Sequence, residues 1–343
     1  MCALTPMRQF KTGKIPTEIL IRTVLRFSGK NDPSVILGSS IGEDAALISF
    51  GRKVLVFTTD PVTGTASDIG WLSVHINAND VACRGAKPRW FLCDLLLPER
   101  SDASTVELIM KRVDAAAREL GVAVVGGHTE VTPGLKRPIV VGFMVGVVER
   151  KKFVTSSGAR PNQDLILTKS VGIEGTAVLA MDFARRLECD DKLLARARSM
   201  RHSVSIVEDA MIAVGVGGVH AMHDPTEGGV LQGIWEIAEA SKVGFVVDES
   251  KIAIRNETNL ICRLLHVDPL RLMSSGCLLL AAENRKSGLM IRRLKQKGIE
   301  ARIIGRFTDR KKGRKLVRLN GSTTEIRASE RDELYRVIET LGN

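Results

Sequence analysis

The chain has 343 residues, of which 44% are hydrophobic and 26% are charged, and its 50 Lys and Arg outnumber its 39 Asp and Glu to give a formal net charge of +11. This length corresponds to about two domains, and the composition excludes a disordered chain, a collagen-like repeat and a coiled coil. The purely apolar runs are too short to span a membrane, and residues 1–14 lack the pattern of a signal peptide. We therefore expect a cytoplasmic protein without a membrane partner.

The first part of the chain combines helical and strand patterns. Apolar spacing of helical period predicts three helices, with Asp68 as the N-cap of the second and Gly121 closing the third. Near-continuous apolar runs predict the strands. The predicted helices are 15–27, 69–83 and 105–120, and the predicted strands are 53–59, 90–97, 122–125 and 138–148.

A polar stretch containing Gly and Pro, residues 156–162, predicts a boundary between one domain over 1–155 and another over 156–343. In the second domain, Asp224 precedes Pro225 and stands three residues before a glutamate, which is the capping-box pattern of a helix start. Neither domain shows the strict alternation of a doubly wound sheet, so the sequence predicts an α+β fold. The predicted helices are 174–187, 204–214, 225–240 and 284–297, and the predicted strands are 164–168, 244–247, 276–281 and 301–307.

The basic excess lies in one segment, residues 285–318, which holds 14 Lys and Arg and only two acids. The segment has a single aromatic residue, Phe307, and no nucleic-acid-binding motif. We expect a solvated basic surface there rather than a nucleic-acid site. The six cysteines form no C-x-x-C pair, and His220-x-x-His223 lacks a further ligand set, so neither a zinc ribbon nor a histidine metal site is predicted.

Three acids of the first domain lie at or near the ends of predicted elements. Asp44 lies in a Gly-Glu-Asp-Ala-Ala turn, Asp60 ends a predicted strand before Pro61, and Asp80 lies in a predicted helix. Magnesium prefers carboxylate and carbonyl oxygens and usually binds together with substrate phosphates. The three acids are compatible with such a site, but each is also explained as a turn residue or a solvated helix residue. The residues alone leave both explanations open.

A glycine pair, Gly126-Gly127, follows a predicted strand and precedes His128 and Thr129. Glycines at such a position let a phosphate approach backbone N–H groups closely. The segment is neither a Walker loop nor a G-x-G-x-x-G motif, and such a glycine pair is more often an ordinary turn. The sequence also has no Gly-x-Ser-x-Gly elbow and no HExxH motif, so hydrolysis by a nucleophile and a base has no direct support.

Seven short motifs, taken together and in order, make the chain resemble one enzyme superfamily. It comprises aminoimidazole ribonucleotide (AIR) synthetase, selenophosphate synthetase, thiamine-monophosphate kinase and the hydrogenase maturation protein HypE, and the last motif points to the HypE subgroup. The motifs are Gly42-Glu43-Asp44-Ala45-Ala46, Thr58-Thr59-Asp60, Asp68-x-Gly70, Asn77-x-Asn79-Asp80, Gly126-Gly127-His128-Thr129, Thr168-Lys169 and Asp224-Pro225-Thr226-Glu227-Gly228-Gly229.

The resemblance implies a fold, two cofactors and a set of site residues. It implies an N-terminal domain that dimerises, with its sheets joining into a barrel, and a C-terminal α+β domain. ATP and Mg²⁺ would lie in a cleft near the dimer interface, and the γ-phosphate would pass to an acceptor, which fits the template for phosphoryl transfer. Carried over by motif, the metal ligands would be Asp44, Asp60 and Asp80, and the nucleotide contacts would be Asn79, Gly126, Gly127, Thr129 and Lys169.

The chain departs from the HypE pattern at two places. HypE proteins carry their substrate on a C-terminal cysteine, whereas this sequence ends in Thr-Leu-Gly-Asn and its last cysteine is Cys277. We therefore expect no reaction on the chain's own tail. His128 stands where HypE usually has an aspartate, which removes one expected carboxylate and is nearer to the selenophosphate pattern. No cysteine stands in a glycine-rich loop before Gly42, as that group would require.

The sequence thus predicts an ATP- and Mg²⁺-dependent phosphotransferase or ATP-activating enzyme, HypE-like but lacking the tail cysteine. We expect a homodimer that acts on a small-molecule or protein-borne acceptor, and no catalytic residue beyond those ligands is predicted. Two alternatives stay open at this point: a non-catalytic nucleotide-binding partner protein and a small-molecule kinase like thiamine-monophosphate kinase. Binding of RNA or DNA through residues 285–318 is the least favoured hypothesis.

Overall fold

The structure, a computed structural model, describes residues 10, 12–63, 69–329 and 331–341. The predicted N-cap Asp68 lies outside the described residues. Within them, the strands are β1 (Val35–Leu37), β2 (Ala46–Phe50), β3 (Lys53–Val62), β4 (Lys87–Leu97), β5 (Ala123–Val131), β6 (Ile139–Glu149), β7 (Asp164–Thr168), β8 (Val219–His223), β9 (Gly244–Asp248), β10 (Leu279–Ala282), β11 (Ala301–Thr308), β12 (Arg314–Val317) and β13 (Thr323–Glu325). The helices are α1 (Thr17–Thr23), α2 (Ile69–Cys83), α3 (Ala103–Leu120), α4 (Ile173–Asp182), α5 (Asp191–Ser199), α6 (Val207–Val216), α7 (Gly229–Ala240), α8 (Asn256–Leu264), α9 (Asn284–Gln296) and α10 (Glu333–Leu341).

The described strands form two mixed sheets, one in each part of the chain. The N-terminal sheet has the order β1-β2-β3-β6-β4-β5, and all its pairs are antiparallel except β4–β5. The C-terminal sheet has the order β13-β12-β9-β11-β7-β10-β8, and all its pairs are antiparallel except β12–β9. Largely antiparallel sheets with packed helices confirm the predicted α+β fold. Closure of the N-terminal sheet into a barrel by dimerisation stays a prediction.

Helix α2 is the element that joins the two parts. It has the predicted bounds, and its side chains are buried almost all round, including the polar His75, Asn77, Asn79 and Asp80. One side packs with the N-terminal sheet and α3 in a core that also contains Ile173 and Val204 of the second part. Its last turn packs in a second core with Ile206 and Ala210. A helix buried on all sides places its few polar residues in the interior, where they need partners.

Strand β3 does not end at Asp60 as predicted, but continues through Pro61 to Val62. Proline lacks the N–H that a ladder needs, so it is tolerated only where one side of a strand is unpaired. The neighbouring strand β2 pairs with β3 no farther than Phe57. Beyond that point β3 pairs only with β6, so Pro61 is on an edge.

Strand β5 also extends farther than predicted, so that Gly126 and Gly127 lie inside it rather than in a turn. The strand pairs in parallel with β4, and Gly127 is opposite Cys93. A Cβ at Gly127 would lie 1.9 Å from the Cys93 carbonyl oxygen, so only glycine fits this close approach. Every residue of β5 is exposed, and its outer edge is unpaired within the described residues.

The capping box predicted at Asp224 is wrong. Helix α7 begins at Gly229, and its N-cap is Gly228, whose φ of 81° is left-handed. Gly229 follows with a φ of 66°, so the Gly-Gly pair makes a turn that separates Asp224 from the helix. The side chain of Asp224 therefore does not cap α7. The position that would have been the third helical residue, Glu227, instead accepts hydrogen bonds from the backbone N–H of Lys14 and the hydroxyl of Tyr335.

Most remaining predictions differ from the structure only at their ends. The predicted helix 105–120 begins two residues earlier, where Asp102 accepts a hydrogen bond from Thr105 N, and it closes at Gly121 with a φ of 66°. The predicted helix 174–187 stops at Asp182 and continues as a short 3₁₀ turn. No described helix is both long and apolar enough to cross a membrane. The elements that the sequence did not predict are β1, β2, β8, β12, β13, α5, α8 and α10.

Candidate functional site

Three aspartates from distant parts of the chain meet at one point. Asp44 follows the turn that leads into β2, Asp80 lies on α2, and Asp224 comes directly after β8. One carboxylate oxygen of each lies within 4.8 Å of the others, and Asp80 and Asp224 are buried. We call these three residues the acidic cluster. Asp44 and Asp80 were predicted as metal ligands, and Asp224 was not.

Asp60, the third predicted ligand, lies beside the acidic cluster on β3. Its backbone N–H donates to Asn77 Oδ1 at 3.0 Å, and Asn77 Nδ2 donates to its carbonyl oxygen at 3.3 Å. The hydroxyl of Thr58 lies 2.8 Å from Asp80 Oδ2 and 2.8 Å from the carbonyl oxygen of Asp44. These contacts hold β3, α2 and the Asp44 turn in a fixed arrangement around the acids.

Burial and mutual repulsion raise the pKa values of three of these acids. Burial and the nearby charges of Asp60 and Asp224 raise the pKa of Asp80 well above its ordinary value. Burial raises the pKa of Asp60. Burial, followed by the charge of Asp44, raises the pKa of Asp224 to about 6. Carboxylates packed together away from water favour the protonated form unless a cation compensates them.

The donor set fits a magnesium ion. Carboxylate oxygens are the hard ligands that Mg²⁺ prefers, and a divalent cation would offset the repulsion among the acids. Asp224 Oδ2 is buried and has no hydrogen-bond partner in the described part of the chain, so it has lone pairs to offer. Its other oxygen accepts a long hydrogen bond from the Cys83 thiol, at 3.5 Å. Burial raises the pKa of that thiol well above its usual range, so Cys83 does not supply the thiolate that zinc would favour.

Asp44 differs from its neighbours because two cations contact its carboxylate. His223 Nδ1 lies 2.8 Å from Asp44 Oδ2, and Arg84 Nη2 donates to the same oxygen at 3.1 Å. Burial opposes the ionisation of Asp44, but the charges of His223 and Arg84 outweigh it and hold its pKa well below the usual range. Glu236 Oε2 lies 2.8 Å from His223 Nε2. Although burial lowers the pKa of His223, Asp44 and Glu236 raise it to about 10.

Arg84 connects the acidic cluster to the chain near the predicted domain boundary. Its side chain is fully buried, and its Nη1 lies 3.0 Å from Glu43 Oε2 and donates to Ser156 Oγ at 3.0 Å. Glu43 in turn accepts a hydrogen bond from the backbone N–H of Ser156 at 3.0 Å. The guanidinium therefore compensates the charges of two adjacent carboxylates, the buried Glu43 and the partly exposed Asp44.

Asn79, a predicted nucleotide contact, is engaged within the chain. Its Nδ2 donates to the carbonyl oxygen of Val204 at 2.8 Å, and its Oδ1 accepts from the backbone N–H of Ile206 at 2.9 Å. The residue is fully buried, so these bonds join α2 to the segment before α6.

Gly126, Gly127 and Thr129, the other nucleotide contacts predicted in the first domain, do not converge on the acidic cluster. Gly127 pairs with Cys93, Cys93 with Gly142, and Gly142 with Asp60, so three strand spacings separate Gly127 from Asp60. At about 4.8 Å for each spacing, this amounts to about 14 Å. Within one chain the glycine pair is therefore remote from the acids.

Lys169, the predicted nucleotide contact of the second domain, lies just after β7. Its Nζ lies 3.0 Å from Asp209 Oδ2 and donates to the carbonyl oxygen of Ser205 at 2.5 Å. Its φ of 52° is left-handed, which is uncommon for a residue other than glycine. The ends of β7, β10 and β8 are adjacent, so Lys169 stands two strand spacings, about 10 Å, from Asp224.

Sequence reasoning missed Asp224, Arg84 and His223. Asp224 opens the last of the seven motifs, and the Gly228-Gly229 pair of that motif favours a turn over a helix start. Arg84 and His223 carry no local signal, because a charged residue next to an apolar helix or strand is equally compatible with solvent. Only the packing of α2 against β8 and the Asp44 turn gives them their partners.

The chain matches two family models and several named proteins. The models describe the N-terminal domain of AIR synthase related proteins, over residues 42–148, and the C-terminal domain of the same proteins, over residues 160–318. The chain is 30% identical, over 316 residues, to a putative hydrogenase expression/formation protein of Methanocaldococcus jannaschii, which covers 88% of this chain and 90% of that protein. It is 33% identical, over 274 residues, to the carbamoyl dehydratase HypE of Cupriavidus necator, which covers 77% of this chain and 76% of that protein.

Solved structures share the fold. A crystal structure of a HypE–HypF complex contains a chain that matches with a TM-score of 0.72 and 25% identity, covering 84% of this chain and 93% of that one. A HypE crystallised in complex with ATP matches with a TM-score of 0.73 and 24% identity, covering 95% of this chain and 98% of that one.

Proposed function

The chain belongs to the AIR synthase related family, in its HypE-like group, and on that premise we propose that it is an ATP- and Mg²⁺-dependent enzyme of hydrogenase maturation. In this proposal it transfers the γ-phosphate of ATP to an oxygen of an acceptor and so activates that oxygen for loss. The observation that carries the proposal is the acidic cluster, Asp44, Asp80 and Asp224, with one oxygen of each within 4.8 Å of the others.

Asp44, Asp60, Asp80 and Asp224 would hold the metal. When bound, Mg²⁺ neutralises phosphate charge and orients the phosphates, which is most of what phosphoryl transfer needs from a protein. The chain's own part is to keep the ligands in place and charged. Thr58 and Asn77 fix the backbone and one carboxylate around the site, and the charges of Arg84 and His223 keep Asp44 ionised.

The proposed nucleotide contacts are Asn79, Gly126, Gly127, Thr129 and Lys169. The HypE whose fold this chain shares was crystallised with ATP, and that supports ATP as the nucleotide. The glycine pair lies on β5, an exposed edge strand about 14 Å from Asp60 of the same chain. For both groups to contact one ATP, β5 of a second copy would have to approach the acidic cluster. This geometry supports the proposed homodimer.

The acceptor is proposed from the relatives. The protein of Cupriavidus necator is a carbamoyl dehydratase, an activity in which a carbamoyl group loses water. Phosphorylation of the carbamoyl oxygen would turn it into a leaving group, which fits ATP-dependent activation. A solved relative is in complex with HypF, so a protein-borne acceptor is part of the proposal.

Titration calorimetry of the full chain with ATP tests the metal site. We expect binding with Mg²⁺ and little binding with EDTA, because without the metal ion the acids offer the triphosphate no positive charge. Asp80→Asn and Asp224→Asn should each weaken binding of Mg·ATP by tenfold or more, since each removes a charged ligand. Asp114→Asn, at an exposed residue of α3 that pairs with Arg118, is the matched control.

Unchanged Mg·ATP affinity in both cluster variants would show the metal assignment to be wrong. If the wild type binds Mg·ATP but releases no phosphate with any carbamoylated protein or small-molecule acceptor, the activity is wrong and a non-catalytic nucleotide-binding protein replaces it.

A further inference from the structure

The last described part of the chain contacts the elements that carry the acidic cluster. We call Ser329 and residues 331–341, which include α10, the C-terminal strut. Leu334 and Val337 of α10 are 4% and 2% exposed, and they pack in one core with apolar residues of α4, α5 and α8. Burial of these side chains holds the strut in place. Its polar groups contact α7 and the turn after β8.

A chain of buried polar contacts joins the strut to Asp44. The backbone N–H of Ser329 donates to Gln232 Oε1 at 2.7 Å, and Gln232 Nε2 donates to Glu236 Oε1 at 2.9 Å. Glu236 Oε2 lies 2.8 Å from His223 Nε2, and His223 Nδ1 lies 2.8 Å from Asp44 Oδ2. The three side chains between the strut and Asp44 are each at most 8% exposed, so water does not replace these contacts.

The amide of Gln232 decides where the carboxylate of Glu236 points. Gln232 holds one oxygen of that carboxylate, and the other oxygen contacts His223. Lys14 Nζ also lies 3.9 Å from Glu236 Oε1, and the Lys14 side chain is 53% exposed. Without the amide, the carboxylate of Glu236 can turn towards Lys14 and away from His223. The ion pair that orients Asp44 would then lose its support.

A second contact joins the strut to the turn that carries Asp224. Asp332 is 2% exposed, and its Oδ2 accepts a hydrogen bond from the backbone N–H of Gly228 at 2.6 Å. Its Oδ1 accepts from the backbone N–H of Leu334 at 2.7 Å. A Cβ at Gly228 would lie 3.2 Å from the Cβ of Ser329, so the strut packs closely on this turn. Buried N–H groups need an acceptor, and Asp332 supplies it on both sides of the contact.

Asp224 is therefore held between two fixed points. On one side, β8 pairs with β10 up to His223, the residue before it. On the other side, the strut holds the turn through Asp332 and through the hydroxyl of Tyr335, which donates to Glu227 Oε1 at 3.1 Å. A carboxylate on so short a connection takes its position from the two ends.

We propose that the C-terminal strut positions two metal ligands of the acidic cluster, and that Gln232 and Asp332 are the positioning residues. Gln232 acts on Asp44 through the side chains between them, and Asp332 acts on Asp224 through the turn. The inference rests on the proposed function, because the acidic cluster is a metal site only in that proposal. Loss of a residue that orients a metal ligand commonly weakens metal affinity by about 10- to 100-fold.

Binding of Mn²⁺, which accepts the same oxygen ligands as Mg²⁺, tests the inference on the full chain. Electron paramagnetic resonance measures the free Mn²⁺, with and without a non-hydrolysable ATP analogue. Gln232→Met keeps the volume and removes the amide, and Asp332→Asn replaces one acceptor oxygen by a donor. We expect each to weaken Mn²⁺ binding about tenfold.

The matched controls are Gln163→Met and Asp164→Asn. Gln163 and Asp164 are 7% and 4% exposed, close to the burial of the two residues under test. They lie at the start of β7, and Asp164 pairs through β10 with the start of β8, at the opposite end of the sheet from Asp224. Both controls should bind Mn²⁺ like the wild type.

Urea denaturation of the same variants separates positioning from a merely structural role. A structural role lowers the unfolding free energy and leaves Mn²⁺ affinity unchanged while the chain is folded, whereas positioning lowers Mn²⁺ affinity in the folded chain. Tyr335→Phe removes only the hydroxyl bonded to Glu227 and should fold. We expect it to weaken Mn²⁺ binding roughly threefold, and this variant decides the question if the other two do not fold.

Unchanged Mn²⁺ affinity in the folded strut variants, or an equal loss in the controls, overturns the inference and leaves the metal site standing. A wild type that binds no Mn²⁺ under either condition overturns the inference together with the metal site. If Mn²⁺ binding depends on Gln232 and Asp332 but no acceptor leads to release of phosphate from ATP, the inference is supported and the proposed activity is wrong.

Discussion

His223 Nδ1 lies 2.8 Å from Asp44 Oδ2, and this ion pair joins the end of β8 in the C-terminal sheet to the turn that begins β2 in the N-terminal sheet. The pair is almost closed to solvent on the histidine side, since the His223 side chain is 2% exposed. It therefore couples the relative placement of the two sheets to the charge of a proposed metal ligand.

Replacing His223 should damage both stability and cation binding. His223→Ala leaves the carboxylates of Asp44 and Glu236 without their shared cation, and breaking a buried ion pair costs about 3–5 kcal/mol. We expect urea denaturation to show a loss of that order and calorimetry to show weaker Mg·ATP binding. His220→Ala, at a half-buried histidine paired with Glu283, is the control and should change neither much. If His223→Ala has the same unfolding free energy as the wild type, the ion pair between His223 and Asp44 does not stabilise the chain.

Arg84→Met should destabilise the chain strongly. The methionine fills a similar volume but leaves Glu43 buried without a cation and Asp44 with His223 alone, which by the same rule costs about 3–5 kcal/mol of unfolding free energy. Chemical denaturation followed by circular dichroism measures it. Arg118→Met is the matched control, because Arg118 makes an exposed pair with Asp114 on α3 and such pairs contribute little. Similar losses of unfolding free energy in both variants would mean that the burial of Arg84 does not cause the destabilisation.

Gly127→Ala should displace β5 from the sheet. The new Cβ would lie 1.9 Å from the Cys93 carbonyl oxygen, so β4 and β5 must separate. We expect a lower melting temperature and, if β5 forms the dimer edge, a larger fraction of monomer in analytical ultracentrifugation. Gly288→Ala on α9 is the control, since a Cβ there meets no atom within 4 Å and alanine favours a helix. A dimer as stable as that of the wild type would show that β5 does not form the dimer interface.

His75 should make the chain sensitive to acid. Burial, with a contribution from the charge of His202, lowers the pKa of His75 from 6.5 to about 3, and its ring lies against Trp71 with centroids 3.8 Å apart. Between those two pH values His75 is protonated in the unfolded chain and neutral in the folded chain. Stability is therefore lost as the pH falls from about 6.5 towards 3, by about 1.4 kcal/mol for each pH unit from this group.

His75→Phe removes the titrating group and keeps an aromatic ring beside Trp71. The unfolding free energy of this variant minus that of the wild type should increase as the pH falls from 7 to 4. Urea titrations at several pH values can measure it. A constant difference would exclude His75 as the source. Other groups titrate in both proteins, so they cancel in the comparison.

The class of fold, the bounds of α2 and two members of the acidic cluster, Asp44 and Asp80, are predictable from the amino-acid sequence. Helical spacing of apolar and small residues sets α2 at 69–83, because a helix pattern is local and needs no knowledge of the partner. The ordered motifs that contain Asp44, Asp60 and Asp80 predict a metal site through family resemblance. These features are readable because each depends on residues a few positions apart.

Only the tertiary structure placed Asp224 beside Asp44 and Asp80, and it did so against a local pattern that predicted a helix cap. It also showed that Gly127 lies on an exposed edge about 14 Å from Asp60, whereas the motif alone gave no distance. The reason is physical: a local pattern specifies which face of a strand or helix a residue takes, but the partners of a buried charge come from packing between distant segments. The sequence does not indicate the partners of Arg84 and His223. That packing brings their charges to Asp44.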